Sequence, residues 1–235
     1  VNRNKYIVGA IGLVFGFAIS FFLTQRINRD NPGAAVGVPG APSMGGSGGQ
    51  QAGMAQVQQT IEKAKADPND FDAQVAAAKM FNQIGRVKET VEYLEKAYTA
   101  SPERFNGLEA AAFVGQYYFE EKNYPQAEAW FNRAIKAEPG KADYYVALAE
   151  TFVQRDPPQP DRAIDYIQQA LKVDPKSGHA MGHLVEAYAL KKDAKSAEDT
   201  LKRLKETDPS NDRLTKLQTM VDDLKSGKSV TIPKE

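Results

Sequence analysis

Val114-Gly115-Gln116-Tyr117-Tyr118, followed by Ala127-Glu128-Ala129-Trp130-Phe131, Ala134 and Pro139, is the stretch on which the fold turns. Small residues at Gly115 and Ala127 let two helices approach closely, while Tyr118 and Phe131 are large enough to fill the space between neighbours. Pro139 stops the second helix, and a new one begins beyond it. The same beat runs along the chain: Pro68, Pro102, Pro139, Pro175 and Pro209 are separated by 34, 37, 36 and 34 residues.

Ala111, Val114, Gly115 and Tyr118, then Ala127, Phe131 and Pro139, follow W-x2-L-G-x2-Y, A-x3-F and P, with Ala111 in place of the Trp. The stretch 108–141 therefore resembles one tetratricopeptide repeat. Three more segments fall in phase. The first, 71–104, carries Gln74, Ala77, Ala78, Phe81, Thr90, Leu94, Ala97 and Pro102. The third, 142–177, carries Tyr145, Leu148, Ala149, Phe152, Ala163, Ile167, Ala170 and Pro175. The fourth, 178–211, carries Met181, Leu184, Val185, Tyr188, Ala197, Leu201, Leu204 and Pro209. No such unit buries its apolar face alone, so stability comes from stacking. The resemblance covers Phe71 to Asn211 and implies an all-α solenoid of helix–turn–helix pairs wound into a right-handed superhelix. Phe105-Asn106-Gly107 lengthens the connection into the second repeat, and Asp156-Pro157-Pro158-Gln159-Pro160 lengthens the turn inside the third by two residues. That proline-rich turn is a candidate contact point.

The ends of the stack need covers. Val57, Ile61 and Ala64 share one face of a short helix expected over 55–68, which would cap the first repeat. Leu214, Leu217, Val221 and Leu224 make the apolar face of a closing helix over 212–225, leaving 226–235 as a polar tail expected to be disordered.

Tyr6 to Thr24 contains no charge, and its 19 residues would span about 28 Å as a helix, close to the hydrocarbon core of a bilayer. No small-residue cleavage site follows in Phe21-Phe22-Leu23-Thr24-Gln25-Arg26, so an uncleaved anchor within 1–29 is expected rather than a signal peptide. Arg3 and Lys5 precede the span, while Arg26, Arg29 and Asp30 follow it. This balance leans towards a cytoplasmic amino terminus, with the repeats on the extracytoplasmic, periplasmic side. Gly12, Gly16 and Ser20 line one stripe at a spacing that lets membrane helices pair, a route to a homo-oligomer. Residues 30–54, rich in Gly, Pro and Ser, lack the apolar content of a core and are expected to form a flexible linker. As a coil of about 25 residues it would span on the order of 25–30 Å.

Composition narrows the chemistry. Lys plus Arg and Asp plus Glu are 30 each, so no bulk field favours nucleic acid. The absence of cysteine removes disulfides, thiol nucleophiles and thiolate metal sites. Gly45, Ser47 and Gly49 spell the nucleophile elbow of hydrolases, but they lie in a low-complexity tract without the required strand. Gly227-Lys228-Ser229 lacks the earlier glycine of a phosphate loop, since Asp222 stands there. His179 and His183 lie four apart on an expected helix, with Glu186 three further on, and imidazole pairs at that spacing can bind zinc or nickel. A firm site needs further ligands and an outer shell. No enzyme activity, cofactor or metal is therefore expected.

The family resemblance implies that first helices line a concave groove for a peptide or a partner's helix. Its inward positions map onto Lys79, Asn82, Gln83, Gln116, Phe119, Glu120, Glu150, Gln154, His183 and Glu186. The clamp with which some members hold chaperone carboxyl termini uses Lys and Asn on the first repeat and further Lys or Arg on the third. The matching places here hold Val75, Lys79, Asp143 and Ala147, so the required cations are mostly absent and that specialisation is not expected. The layout is similar to membrane-anchored bacterial members of the family, which include cytochrome c assembly factors and accessory chaperones of the translocon. A tethered scaffold for assembling or chaperoning envelope proteins is expected. The alternative is a structural subunit of a larger membrane complex, held by convex faces and the transmembrane helix.

Overall fold

The computed structural model describes residues 47–230 and 232, and the span Tyr6–Thr24 with its Gly12, Gly16 and Ser20 stripe lies outside them. Among the described residues there is no strand, and no helix is long and apolar enough to cross a membrane. The chain divides into two compact units, Val1–Ala110 and Ala111–Glu235.

The first unit contains α1 (Ser47–Ala66), α2 (Phe71–Gln83), α3 (Val87–Ala100) and the short α4 (Pro102–Asn106), each packed on the next. Helix α1 starts at Ser47, inside the stretch expected to be linker. Gly48 and Gly49 are poor helix formers, but Gln50, Gln51 and Ala52 are good ones and carry the helix back. Its C-terminal carbonyls would be left open at Asp67-Pro68. Gln74, fully buried on α2, closes them: its Nε2 donates to Ala64 O at 2.7 Å and to Asp67 O at 3.0 Å. Asp70 caps α2 by accepting from Ala73 N, and Phe81 stacks on Tyr93 across α2 and α3 with ring centroids 5.3 Å apart. Of Phe105-Asn106-Gly107, expected only to lengthen a connection, the first two end α4 and Gly107 is its C-cap. Phe105 is buried there with its ring edge against Tyr98.

The second unit contains α5 (Ala111–Glu120), α6 (Tyr124–Ala137), α7 (Ala142–Gln154), α8 (Pro160–Val173), α9 (Gly178–Leu190), α10 (Ala194–Thr207) and α11 (Leu214–Lys225). Helices α5, α7, α9 and α11 pack side by side as one layer, and α6, α8 and α10 bridge them from the other. Ala127, Ala149, Ala163 and Ala197 are completely buried where helices approach, and Phe131, Phe152, Ile167 and Leu204 fill the core between pairs. Helix α11 closes the layer with Leu217 and Val221 fully buried.

One turn recurs in three helix pairs. Arg86 N donates to Phe81 O, Asn123 N to Tyr118 O and Asp193 N to Tyr188 O, each at 2.8–2.9 Å over five residues. This closure needs a left-handed residue just before the donor, and Gly85, Lys122 and Lys192 supply it with φ of 72°, 59° and 63°. In the third repeat Gln159 N reaches Phe152 O at 2.8 Å over seven residues, so the two extra residues are absorbed in the turn. Arg155 and Arg162 flank that turn, lie over the Phe152 ring and both donate to Glu128 of α6, at 2.9 and 2.7 Å.

Of the tail expected to be disordered, residues 226–230 and 232 are described. Gly227, at φ 78°, ends α11 with Lys228 N donating to Asp223 O at 3.0 Å, and Ile232 is half-buried against the unit's core.

Candidate functional site

The ten expected groove residues fall into three groups. In the first unit, Lys79 and Gln83 are exposed and Asn82 is half-buried, all on α2. In the second unit, α5 carries Gln116, whose Nε2 donates to Glu120 Oε1 at 3.1 Å, and Phe119, whose ring meets Tyr124 edge to face at 5.9 Å. Gln154 is half-buried at the end of α7. The remaining three, Glu150, His183 and Glu186, are brought into direct contact.

That contact is built from neighbouring first helices. Glu150 Oε1 of α7 lies 3.0 Å from His183 Nε2 of α9. One turn further along α9, Glu186 Oε2 lies 3.3 Å from His183 Nδ1, so a carboxylate faces each ring nitrogen. His179, one turn back, joins them: its Nε2 lies 3.1 Å from His183 Nε2, with the rings at 88°. From the edge of α11, Arg213 binds Glu186 Oε1 at 2.6 Å and Lys216 stands 3.7 Å from the same oxygen. Gly182 leaves room for the guanidinium: a Cβ there would sit 3.0 Å from Arg213 Nη1.

Glu186 is the anchor, with only 5% of its side chain exposed. Burial works to raise its pKa, but the hydrogen bond and charge of His183, and then Arg213, hold it well below the usual carboxylate range. Burial likewise works against an ionised Glu150, and the charge and hydrogen bond of His183 outweigh it. Burial alone would lower His183, yet Glu150 and Glu186 push it up. His179 is lowered to about 4, first by burial and then by the charge of His183. Glu150 and Glu186 thus favour a proton on His183, while burial favours a neutral His179 beside it. His179 Nδ1 is buried without a hydrogen-bond partner, 3.9 Å from Asp143 Oδ1. Among the described residues, Glu150, His179 and His183 place one ligand atom each within 4.8 Å of one another, a set able to hold a metal ion.

The sequence mapping placed Glu150, His183 and Glu186 on one face but missed Arg213, Lys216 and the approach of His179 to Glu150. Gly182 was the available signal, a small residue beside the cluster on a helix where no turn calls for glycine.

Two family models of the tetratricopeptide repeat match the chain, at residues 108–141 and 159–221. The chain thus carries tetratricopeptide repeats, and its helix-pair fold is theirs. Among solved structures it is similar to MamA, with 21% identity over 70% of this chain and 96% of that one, at a TM-score of 0.54. It is similar to a tetratricopeptide repeat protein from Parabacteroides merdae ATCC 43184, with 12% identity over 67% of this chain and 60% of that one, at 0.58. It is also similar to YrrB, a TPR protein with an unusual peptide-binding site, with 15% identity over 72% of this chain and 94% of that one, at 0.50. At these identities the likenesses show the fold. No curated protein matches the sequence.

Proposed function

We propose that this protein is a non-catalytic, membrane-tethered scaffold that holds a partner protein or peptide against the first helices of its repeats, in the assembly or chaperoning of envelope proteins. The observation that carries the reading is the make-up of the first-helix layer in the second unit. Gln116 and Phe119 on α5 and Gln154 on α7 are partly exposed there, giving amides and one aromatic edge. A peptide main chain offers an N–H and a carbonyl at each residue, and amide side chains satisfy both. The fold suits this use, as YrrB has a peptide-binding site on the same architecture. The tether rests on the charge-free Tyr6–Thr24 and the Gly- and Pro-rich residues after it, and the flanking charges favour repeats on the periplasmic side.

The test is photo-crosslinking in native membranes from position 119 and, as a control, from Lys202, exposed on the bridging helix α10. The scaffold reading expects adducts from position 119 that fade in Gln116→Ala/Gln154→Ala, and loss from the membrane pellet when residues 6–24 are deleted. Adducts of fixed stoichiometry from position 202 alone would instead mark a structural subunit held by its other faces.

A further inference from the structure

We infer that the second unit binds a first-row transition-metal dication, zinc or a close relative, through His179 Nε2, His183 Nε2 and a carboxylate oxygen of Glu150. The chain has two histidines and no cysteine. The fold places both imidazoles on successive turns of α9 and aims their Nε2 atoms at each other, 3.1 Å apart, with Glu150 Oε1 3.0 Å from one of them. A tetrahedral ion with bonds of about 2.0–2.1 Å has ligand-to-ligand edges of about 3.3 Å. Two of the three edges, 3.1 and 3.0 Å, already stand close to that spacing; the third lies within 4.8 Å, and side-chain rotations that close it admit the ion. Two imidazoles and one carboxylate are donors that zinc accepts.

The surroundings are those of a metal-bound histidine. Glu186 Oε2, 3.3 Å from His183 Nδ1, draws the ring proton to that nitrogen and turns the Nε2 lone pair towards the site. Arg213 holds Glu186 in place at 2.6 Å. A carboxylate behind a ligating imidazole fixes its tautomer and raises its basicity. His179 has its Nδ1 buried and unpaired. An ion on its Nε2 places the proton on Nδ1, where a small rotation brings it to Asp143. Three carboxylates, Glu150, Glu186 and Asp143, face two cations, Arg213 and Lys216, so the local charge accepts a dication. His179 and Glu150 are each about one quarter exposed, which leaves the fourth position to water. The site stands independently of the partner-binding reading.

The test uses the full chain without a purification tag, stripped with chelator, then given one equivalent of zinc or cobalt(II) and desalted. Elemental analysis should find one ion per chain, and cobalt should show the intense visible bands of a low-coordinate site. His179→Ala, at a partly exposed position, and Glu150→Gln should each abolish stoichiometric retention, while Glu186→Gln should weaken affinity about 10–100-fold. Circular dichroism checks that each variant is folded. Failure of the wild-type chain alone to retain an ion, which no folding defect can explain, overturns the site. Equal retention by folded His179→Ala overturns it as well.

Discussion

Gly115 and Phe131 meet so closely that a Cβ on the glycine would lie 2.8 Å from the ring's Cδ1 and 2.9 Å from its Cε1. Phe131 is buried, so the ring has little room to retreat. This contact sets how near α5 and α6 can lie.

Gly115→Ala should therefore destabilise the second unit. Alanine gains about 1 kcal/mol in a helix interior, but overpacking a filled core costs about 1–3 kcal/mol. A net loss of about 1 kcal/mol in urea unfolding is expected, recovered when Phe131→Leu is added. Gly140→Ala is the control, because nothing lies within 4 Å of a Cβ there. If both alanine variants are equally stable, the α5–α6 contact is looser than the geometry shows.

Lys122 and Lys192 hold the left-handed turn position that Gly85 fills in the first repeat. A residue with a Cβ costs about 1–2 kcal/mol in that conformation, part of which glycine returns through its freer unfolded chain. Lys122→Gly and Lys192→Gly should each stabilise by about 0.5–1 kcal/mol. Lys202→Gly, exposed in the interior of α10, should lose about 1 kcal/mol. Thermal midpoints moving in these opposite directions would establish the conformational cause, whereas parallel shifts would point to loss of the lysine charge.

The helix pairs were legible because their signals are local. Small and large residues alternate at fixed offsets, prolines mark the period, and the two-residue excess of the third turn reappears as the longer Phe152–Gln159 closure. What was missed depended on contacts across the fold. The start of α1 was hidden by Gly48, Gly49 and Gly53, which outweighed Gln50, Gln51 and Ala52 in the reading of a linker. Ile232 packs on the core, a contact that no periodic pattern in the short stretch after α11 announces. At the polar cluster, Glu150 and His183 could be paired by repeat position, but Arg213 lies between the last repeat and the closing helix, outside any repeat pattern. Only the space over Gly182 showed where its guanidinium would go.

Gln74 carries a separate prediction for the first unit. Its buried amide satisfies the carbonyls of Ala64 and Asp67 where α1 ends. Gln74→Met keeps the volume but removes both bonds; Asp67 O keeps the bond from Asp70 N, while the buried Ala64 loses the donor to its carbonyl, at about 1–3 kcal/mol. The loss should appear first in α1, as faster amide exchange and faster proteolytic cutting there than in α2 or α3. Uniform loss across the unit would show that the amide supports the whole core rather than the docking of one helix.

The histidine pair predicts the pH dependence of stability in the metal-free protein. His183 is pushed up by Glu150 and Glu186 against the effect of burial, so its charge stabilises the fold below the ordinary value of 6.5 and that contribution fades as pH rises through the folded value. His179, lowered to about 4 by burial and then by His183, behaves in the opposite sense. Between pH 6.5 and about 4 the unfolded chain takes up a proton that the folded chain refuses, so stability falls as pH drops through that window. The size is on the order of 3 kcal/mol, since each pKa unit is worth about 1.4 kcal/mol. Below it, Glu150 and Glu186, both held low in the fold, add to the acid loss. Urea unfolding from pH 4 to 9 should therefore give a maximum near pH 6.5. His179→Gln should flatten the acid side above pH 4 while keeping the alkaline decline. His183→Gln should remove the alkaline decline and, by deleting the charge beside His179, lessen the acid one too. Equal acid slopes in wild type and His179→Gln would mean that His179 takes its proton without cost, and that burial does not hold the ring neutral.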